Sequence, residues 1–168
     1  TLSLSSDPYP LTGFETAAPV FDAGFAGNAN NLVWHARGTI QLQDIASKEL
    51  GKTFSHEDFV TAFTLSADGK VLASAAAKTV NNEYKPVVQL WDAATGDVLQ
   101  TLVLDQPATS LSFSPDGSML AAGTGNDVQI WDTASGKLLT SLTGHSGAVN
   151  LAAFSPDGKS LASFGADN

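Results

Sequence analysis

Residues 112–132 read SFSPDGSMLAAGTGNDVQIWD and contain a Ser-Pro-Asp-Gly sequence, a glycine-rich segment and a Trp-Asp pair. Two interpretations compete: a chemical site with carboxylates and a phosphate-binding loop, or a series of turns and short strands. Pro115 fits the second position of a tight turn, and Gly117 can take the positive φ that such a turn requires. MLAAG and VQIWD have the apolar content and alternation of short strands. The stretch therefore predicts strands joined by turns.

The same pattern recurs along the chain. Copies are AFSPDGKSLASFGADN (153–168), TLSADGKVLAS (64–74) with VVQLWDAATGDVL (87–99), and an eroded copy at 24–50. Their apolar anchors are separated by 40, 48 and 41 residues, at Phe25, Leu65, Phe113 and Phe154. A period of this length indicates a repeat architecture. Each period predicts four short antiparallel strands.

The order SPDG, LAAG, VQIWD and SGKLLTSLTGH in residues 114–145 resembles the WD-repeat β-propeller family. In that family each repeat forms a four-stranded blade, and blades pack radially. The resemblance therefore implies that both faces of the strands are largely buried between neighbouring blades. The resemblance implies an all-β β-propeller of four-stranded antiparallel blades, with about three and a half blades in these residues. The SPDG and LASFG sequences of the repeats are similar to those of bacterial members of the family.

The repeat divides the chain into five parts. We expect an N-terminal strand at 1–13 that closes the last blade, blade 1 at 14–56, blade 2 at 57–104 with an insertion at 77–86, blade 3 at 105–145, and the first half of blade 4 at 146–168. Our preferred hypothesis is that these residues begin a longer propeller. The alternative is that additional copies of a short chain close the ring.

The resemblance also implies a structural network of His, Ser, Trp and Asp in each blade. The matching residues are His56, Ser74 and Trp91 in the second copy, Trp131 in the third, and His145, Ser163 and Asp167 in the last. In the second copy, Lys78 or a neighbouring residue stands where the family has Asp. The third copy has Leu104, Ala122 and Asn126 at the other positions, and the first has Gln43 for Trp and Trp34 for Ser. We expect each buried indole N–H to find an acceptor.

Several residues also suggest chemistry. His56 or His145 with Ser74 or Ser163 and Asp167 could form a Ser-His-Asp triad, but the structural network explains the same spacing. Asp68, Asp116 and Asp157 lie in turns, where Asp caps its own backbone. GTGND (123–127) precedes a strand, whereas a phosphate site needs a helix, and His35 has no companion at metal-ligand spacing. We therefore expect no catalytic, cofactor-binding or metal-binding residues.

The insertion AKTVNNEYKP (77–86) departs from the repeat. It is either a tolerated surface insertion or a hairpin that contacts a partner, with Tyr84 as its anchor. On the second interpretation the partner-binding residues are Asn81, Asn82, Glu83, Tyr84 and Lys85.

Composition narrows the function classes. Eight basic and 17 acidic residues give a net charge of −9, which argues against nucleic-acid binding because phosphates require clustered Lys and Arg. No apolar run is long enough to span a bilayer, so we expect no membrane insertion. The absence of Cys excludes disulfides and thiolate sites.

The combined prediction is a non-catalytic scaffold that binds other proteins or forms part of a larger assembly. The alternatives are a propeller enzyme or ligand sensor with a site in the central channel, and a structural appendage of an extracytoplasmic complex. The acidic, Cys-free composition and the lack of an initial Met favour export, with a cytoplasmic location as the alternative.

Overall fold

A computed structural model describes residues 22–25, 31–36, 38–44, 47 and 49–167. These residues form fourteen β-strands in antiparallel sheets. The described residues contain no helix, and hence none that could cross a membrane. The predicted all-β fold class is confirmed.

The strands group into four successive sheets in which chain order equals spatial order. The first sheet contains β1 (Asp22–Phe25), β2 (Asn31–Ala36), β3 (Thr39–Asp44) and β4 (Leu50–Ser55). The second contains β5 (Ala62–Leu65), β6 (Val71–Val80), β7 (Glu83–Asp92) and β8 (Val98–Val103). The third contains β9 (Ala108–Phe113), β10 (Met119–Thr124), β11 (Asp127–Asp132) and β12 (Leu138–Leu142). The fourth contains β13 (Val149–Phe154) and β14 (Leu161–Gly165).

The pairing register repeats from sheet to sheet. Each apolar anchor of the repeat ends the first strand and pairs with a leucine of the second: Phe25 with Leu32, Leu65 with Leu72, Phe113 with Leu120, and Phe154 with Leu161. A one-residue slip would turn every buried side chain outward, so the shared register places equivalent residues at equivalent positions.

The turns explain the glycine and proline positions of residues 112–132. Gly117 has a φ of 74°, and its N–H donates to the carbonyl of Ser114 at 2.9 Å. Gly125 and Asn126 form the two-residue turn between β10 and β11. Gly123 lies inside β10, where an added Cβ would be only 2.7 Å from Ser110 Oγ and 2.9 Å from Val149 Cγ1. Its lack of a side chain lets the third and fourth sheets approach closely.

The core lies between consecutive sheets. Phe54 and Ile40 of the first sheet pack with Leu72 and Trp91 of the second. Leu102 of the second sheet packs with a similar group of the third, which includes Trp131. Ala121, Val128 and Ile130 pack with Val149 and Ala152 of the fourth sheet.

Burial differs between strands of one sheet. The middle strands β6, β7, β10 and β11 are largely buried, whereas all five residues of β12 are exposed and only Phe54 of β4 is buried. Our expectation that both faces of the strands would be buried is therefore wrong for these outer strands. The reason is that the fourth strand is at the sheet edge, where a neighbouring sheet covers only part of it.

Two predictions fall wholly or partly outside the described residues. The strand at 1–13 and its closure of the last blade lie there entirely. The predicted boundaries of the blades stay predictions, because the structure gives the limits of strands.

Candidate partner-binding site

The Asp residues of the repeat turns are engaged in holding those turns. In the third sheet, Asp116 Oδ1 accepts hydrogen bonds from Ser114 Oγ at 2.6 Å and from the Ser118 amide at 3.0 Å. These hydrogen bonds, led by that of Ser114, lower the pKa of Asp116 to about 2. Asp68 and Asp157 accept the equivalent pairs of bonds in their own turns. The three carboxylates therefore act as turn caps.

His56, Ser74 and Trp91 come together between the first two sheets. The Trp91 indole N–H donates to Ser74 Oγ at 2.7 Å, and Ser74 Oγ lies 2.7 Å from His56 Nε2. The indole also meets the rings of Phe54 and His56 edge to face, with centroids 5.7 and 5.3 Å apart. Because Ser74 Oγ accepts from the indole, its own proton is free to be donated to Nε2 of a neutral His56.

Lys78 alters the environment of this histidine. His56 Nδ1 is buried and has no partner among the described atoms, since a lysine occupies the position at which the last repeat carries Asp167. Burial, followed by the nearby Lys78 ammonium, lowers the pKa of His56 to about 4. His56 is therefore neutral at pH 7.

The last repeat contains the other polar arrangement. Asp167 Oδ1 is 2.8 Å from His145 Nδ1, and His145 Nε2 is 2.9 Å from Ser163 Oγ. The Ser146 amide donates to Asp167 Oδ2 at 2.7 Å. These bonds, led by that of His145, lower the pKa of Asp167 to about 2.

Ser163, His145 and Asp167 also have the geometry of a Ser-His-Asp triad. The second sheet contains the same Ser-His pair and indicates its role. Ser74 has the same relation to His56 but is fully buried and occupied by the Trp91 indole. The shared arrangement therefore fits a packing network in both sheets.

Trp131 departs from the expectation that each buried indole finds an acceptor. Trp131 Nε1 is buried without a partner in the described part of the chain, and so is Trp34 Nε1 in the first sheet. The expectation is wrong at both positions, and at Trp131 the reason is that the third sheet has Ala122, which offers no hydroxyl, where the second sheet has Ser74.

His35 is a buried core residue. Its ring meets that of Phe63 edge to face at 5.5 Å. Over the described ranges, no cluster of three or more His, Cys, Asp or Glu is placed to hold a metal ion.

The insertion at 77–86 lengthens the hairpin between β6 and β7. Both strands have ten residues, and they pair without interruption up to Val80 and Glu83. Asn81 and Asn82 form the turn with φ values of 51° and 64°. Two positive φ values are typical of a type I′ turn, which matches the twist of a hairpin.

The loop between β4 and β5 braces this hairpin. Tyr84 Oη donates a hydrogen bond to the Asp58 carboxylate, and the Thr79 amide donates to Glu57 Oε2 at 3.2 Å. The Asp58 carboxylate raises the pKa of Tyr84 to about 12. The hydrogen bond from Tyr84 in turn lowers the pKa of Asp58.

The braced hairpin presents large side chains to solvent. Tyr84 is 60% exposed and Phe59 of the neighbouring loop is 62% exposed. Lys85 and Glu83 form an ion pair at 2.8 Å on the same hairpin. A shallow cavity of about 260 Å³ beside it is lined by Gly38, His56, Glu57, Asp58 and Phe59. We call Tyr84, Lys85 and the loop residues 57–59 the hairpin surface.

The sequence indicated the hairpin half of this surface but not the loop half. Glu57, Asp58 and Phe59 lie between two repeats and carry no motif of their own. The sequence signal that could have identified them is an aromatic residue next to two carboxylates, shortly before the first strand of a repeat.

The repeats of this chain match a family of known proteins. The family described as "WD domain, G-beta repeat" matches residues 48–81, 96–132 and 136–168. The chain belongs to this WD-repeat family. The second matched segment includes the whole of β11, which ends in Trp131-Asp132, whereas β7, which ends in Trp91-Asp92, lies between two matched segments.

Similar curated proteins are eukaryotic. Eukaryotic translation initiation factor 3 subunit I of Culex quinquefasciatus is 32% identical over 81% of this chain and 44% of its own length. Autophagy-related protein 16 of Arabidopsis thaliana is 28% identical over 85% of this chain and 26% of its length. U3 small nucleolar RNA-associated protein 21 of Saccharomyces cerevisiae is 28% identical over 55% of this chain and 9% of its length.

This WD-repeat chain thus spans less than half the length of these relatives. The relatives do not support the bacterial origin that we inferred from the style of the repeats.

Proposed function

We propose that this WD-repeat chain is a non-catalytic scaffold that binds another protein through its hairpin surface. The observation that carries the proposal is the lengthened β6–β7 hairpin, braced by Asp58 and Glu57, which holds Tyr84 in solvent. One relative, Eukaryotic translation initiation factor 3 subunit I, has a name that denotes a component of an assembly. This name supports a role within an assembly.

The physical form of the hairpin surface favours binding. Tyr is enriched among the residues that dominate interface energies, because it combines a large apolar ring with a polar group. Bracing by hydrogen bonds fixes the hairpin before a partner arrives, and this reduces the conformational entropy lost on association. Asn81, Asn82 and Glu83 at the hairpin tip are also exposed and complete the contact region.

Catalysis finds less support in the same geometry. Ser74 and the turn carboxylates of Asp68, Asp116 and Asp157 are each engaged in a hydrogen bond with a structural role. His56 is neutral and partly buried, and its Nε2 is hydrogen-bonded to Ser74 Oγ, which also accepts the Trp91 indole N–H. We therefore retain the scaffold over the enzyme or ligand sensor.

The test replaces Tyr84 and Lys85 by Ala in the purified protein. Partners are identified by affinity enrichment and quantitative mass spectrometry from the source organism, and one purified partner is then titrated. We expect the double variant to lose about tenfold or more in affinity, as is usual for an interface hot spot. Lys137→Ala, which removes an exposed lysine from the third sheet, is the matched control and should bind as the parent does.

Equal affinity of the double variant and the parent would refute the hairpin surface as the binding site. Hydrogen exchange of β6 and β7 separates loss of contact from loss of structure. Tyr84→Phe keeps the ring but removes the bond to Asp58, and an intermediate affinity would show that bracing contributes.

A further inference from the structure

The hairpin surface and its surroundings carry an excess of negative charge. Four carboxylates of the described residues belong to this region: Glu57, Asp58, Glu83 and Asp105. The Glu83 carboxylate, followed by that of Asp105, raises the pKa of Lys85, which places Asp105 in the same region. Two ammonium groups of the described residues oppose them: Lys85, paired with Glu83, and Lys78, which lies near His56. Four carboxylates against two ammonium groups leave the region acidic, like the chain as a whole.

The two carboxylates of the loop between β4 and β5 are ionised and held in place. Asp58 accepts the hydrogen bond from Tyr84 Oη, and Glu57 Oε2 accepts the Thr79 amide at 3.2 Å. The bond from Tyr84, followed by that from the Phe59 amide, holds the pKa of Asp58 below its ordinary value. An ionised carboxylate has about four acceptor positions. Each group therefore accepts further donors while it stays bonded to the hairpin.

Two exposed aromatic side chains border the Asp58 carboxylate. Phe59 follows Asp58 in the chain, and Tyr84 is bonded to it through its hydroxyl. The face of an aromatic ring is negative and attracts a cation that lies over it. A cation held by Asp58 is therefore also next to aromatic side chains.

The shallow cavity of about 260 Å³ beside these groups is free of positive charge. Its lining consists of Gly38, His56, Glu57, Asp58 and Phe59. Because the pKa of His56 is about 4, its ring is neutral at pH 7. Gly38 lies close to the loop, since an added Cβ would be 3.0 Å from the Asp58 carbonyl oxygen. The cavity thus combines two carboxylates with an aromatic ring.

Arginine is the side chain that fits this combination. Its guanidinium is planar, carries five N–H donors and bonds a carboxylate through two parallel N–H groups. It stacks on aromatic rings and is more weakly hydrated than an ammonium, so it leaves water more readily. Lysine carries a compact charge without a flat face. A carboxylate would be repelled, and an apolar group would desolvate Glu57 and Asp58 without giving them a donor.

We propose that the hairpin surface recognises an arginine side chain of a partner protein. The guanidinium bonds to the carboxylates of Asp58 and Glu57 and stacks on Phe59. This inference rests on the proposed function, because it names the chemistry of the partner at the same surface. The contact region of the partner is accordingly basic, since opposite potentials steer two surfaces together and fix their register.

The test uses an arginine derivative as the probe and locates its binding by NMR. Nα-acetyl-arginine methylamide is titrated into the isotope-labelled 168-residue chain, and the backbone amide shifts are followed. We expect saturable shifts at Glu57, Asp58, Phe59 and Tyr84, with a Kd of about 1 to 10 mM, as for one side chain at an open site. The citrulline derivative has the same shape without the charge and should cause none of these shifts. The lysine derivative should bind about threefold or more weakly than the arginine derivative.

Three variants separate the carboxylate, the ring and a general loss of charge. Asp58→Asn keeps an oxygen that accepts from Tyr84 but removes the charge, and should weaken the arginine derivative about fivefold. Phe59→Leu keeps an apolar side chain without a ring, and should weaken it about threefold. Asp97→Asn is the matched control, because it removes an exposed carboxylate between β7 and β8, at the end of β7 away from the hairpin turn. It should bind as the parent does, and the amide spectrum of each variant shows whether it folds.

The inference is overturned if these amides do not shift at about 50 mM arginine derivative, which excludes even weak binding. It is also overturned if the citrulline or the lysine derivative binds as well as the arginine derivative. A partner that is lost on replacement of Tyr84 and Lys85, although the arginine derivative does not bind, refutes this inference and leaves the proposed function intact. Saturable arginine binding in a protein whose partner ignores that double replacement refutes the proposed function and leaves the arginine site.

Discussion

His56 shows how burial, together with one charged neighbour, sets the protonation of a network residue. Its pKa of about 4 lies below the ordinary value of 6.5, because burial and Lys78 disfavour the imidazolium. The imidazole of His56 therefore becomes protonated at a lower pH in the folded state than in the unfolded chain. His56 contributes stability fully above pH 6.5, and this contribution is lost as the pH falls toward 4.

We predict that His56 remains neutral at pH 5 and titrates near pH 4, as measured by NMR of the imidazole carbons. Lys78→Asp should raise this pKa, because a carboxylate at the position of Asp167 would accept the unpaired Nδ1–H and attract the charged ring. Lys78→Gln removes the ammonium without adding a negative charge, so it should give a smaller rise. A pKa near 6.5 in the parent would contradict the assignment of burial as the main cause.

Trp131 provides the second prediction at this scale. Ala122→Ser should place a hydroxyl where Ser74 accepts the indole of Trp91, and so stabilise the fold by about 1 kcal/mol. Both Ala122 and Ser74 are fully buried, so the site has a precedent within the molecule. Urea unfolding monitored by tryptophan fluorescence gives the change in free energy.

The control is the neighbouring Ala121→Ser, which places a hydroxyl on the opposite face of β10 among Val128, Val149 and other apolar side chains. That hydroxyl would lack an obvious partner, and we expect a loss of about 1 to 3 kcal/mol. Equal effects of the two substitutions would show that the indole N–H does not govern the result.

The spacing of the repeat groups His56, Ser74 and Trp91 in one network, and the structure places their side chains in contact. The three residues stand at fixed positions of the repeat, and the pairing of the strands brings those positions close together. The unsatisfied indole of Trp131 was not predicted, because we assumed that every buried donor would be paired. Sequence phase shows that Ala122 replaces serine, but it does not show whether another acceptor comes near.

At the level of elements, the β6–β7 hairpin depends on its Asn81-Asn82 turn. Both residues adopt positive φ, which asparagine tolerates and β-branched residues do not. We predict that replacing both by Val destroys the turn, with rapid amide exchange at Thr79 and Tyr84 while the third sheet keeps its protection. Asn82→Gly should preserve or strengthen the hairpin, since Asn-Gly is the favoured type I′ pair.

A loss of protection throughout the chain in the double Val variant would show that the hairpin is part of the cooperative core. The insertion itself was visible in the sequence as extra residues relative to the third repeat. Its form as a continuous extension of two strands was not predicted, because alignment treats an insertion as a gap. The Asn-Asn turn between segments of equal length was the signal that could have shown it.

At the scale of the whole molecule, side-chain hydrogen bonds tie the second sheet to the third and the third sheet to the fourth. Thr61 Oγ1 donates to the Ala108 carbonyl at 2.7 Å, and Thr109 Oγ1 donates to the Val149 carbonyl at 2.6 Å. Ser110 Oγ accepts the Ala152 amide at 2.9 Å. Thr61 and Thr109 occupy the same phase of the repeat, so the contact is a recurrent link between sheets. The network predicted from the sequence does not include this pair of threonines.

The link between the third and fourth sheets gives the final prediction. Thr109→Val keeps the shape of the side chain but removes its donor, and we expect a loss of about 1 kcal/mol in the coupling of the two sheets. The fourth sheet has two strands and packs on the others mainly through β13, so it should open first. Amides of β13 and β14 should therefore exchange faster in the variant, while those of β6 and β7 remain unchanged. Thr140→Val on exposed β12 is the matched control. Uniform acceleration in all four sheets would instead mean that the sheets unfold as one unit, and that Thr109 contributes to global stability alone.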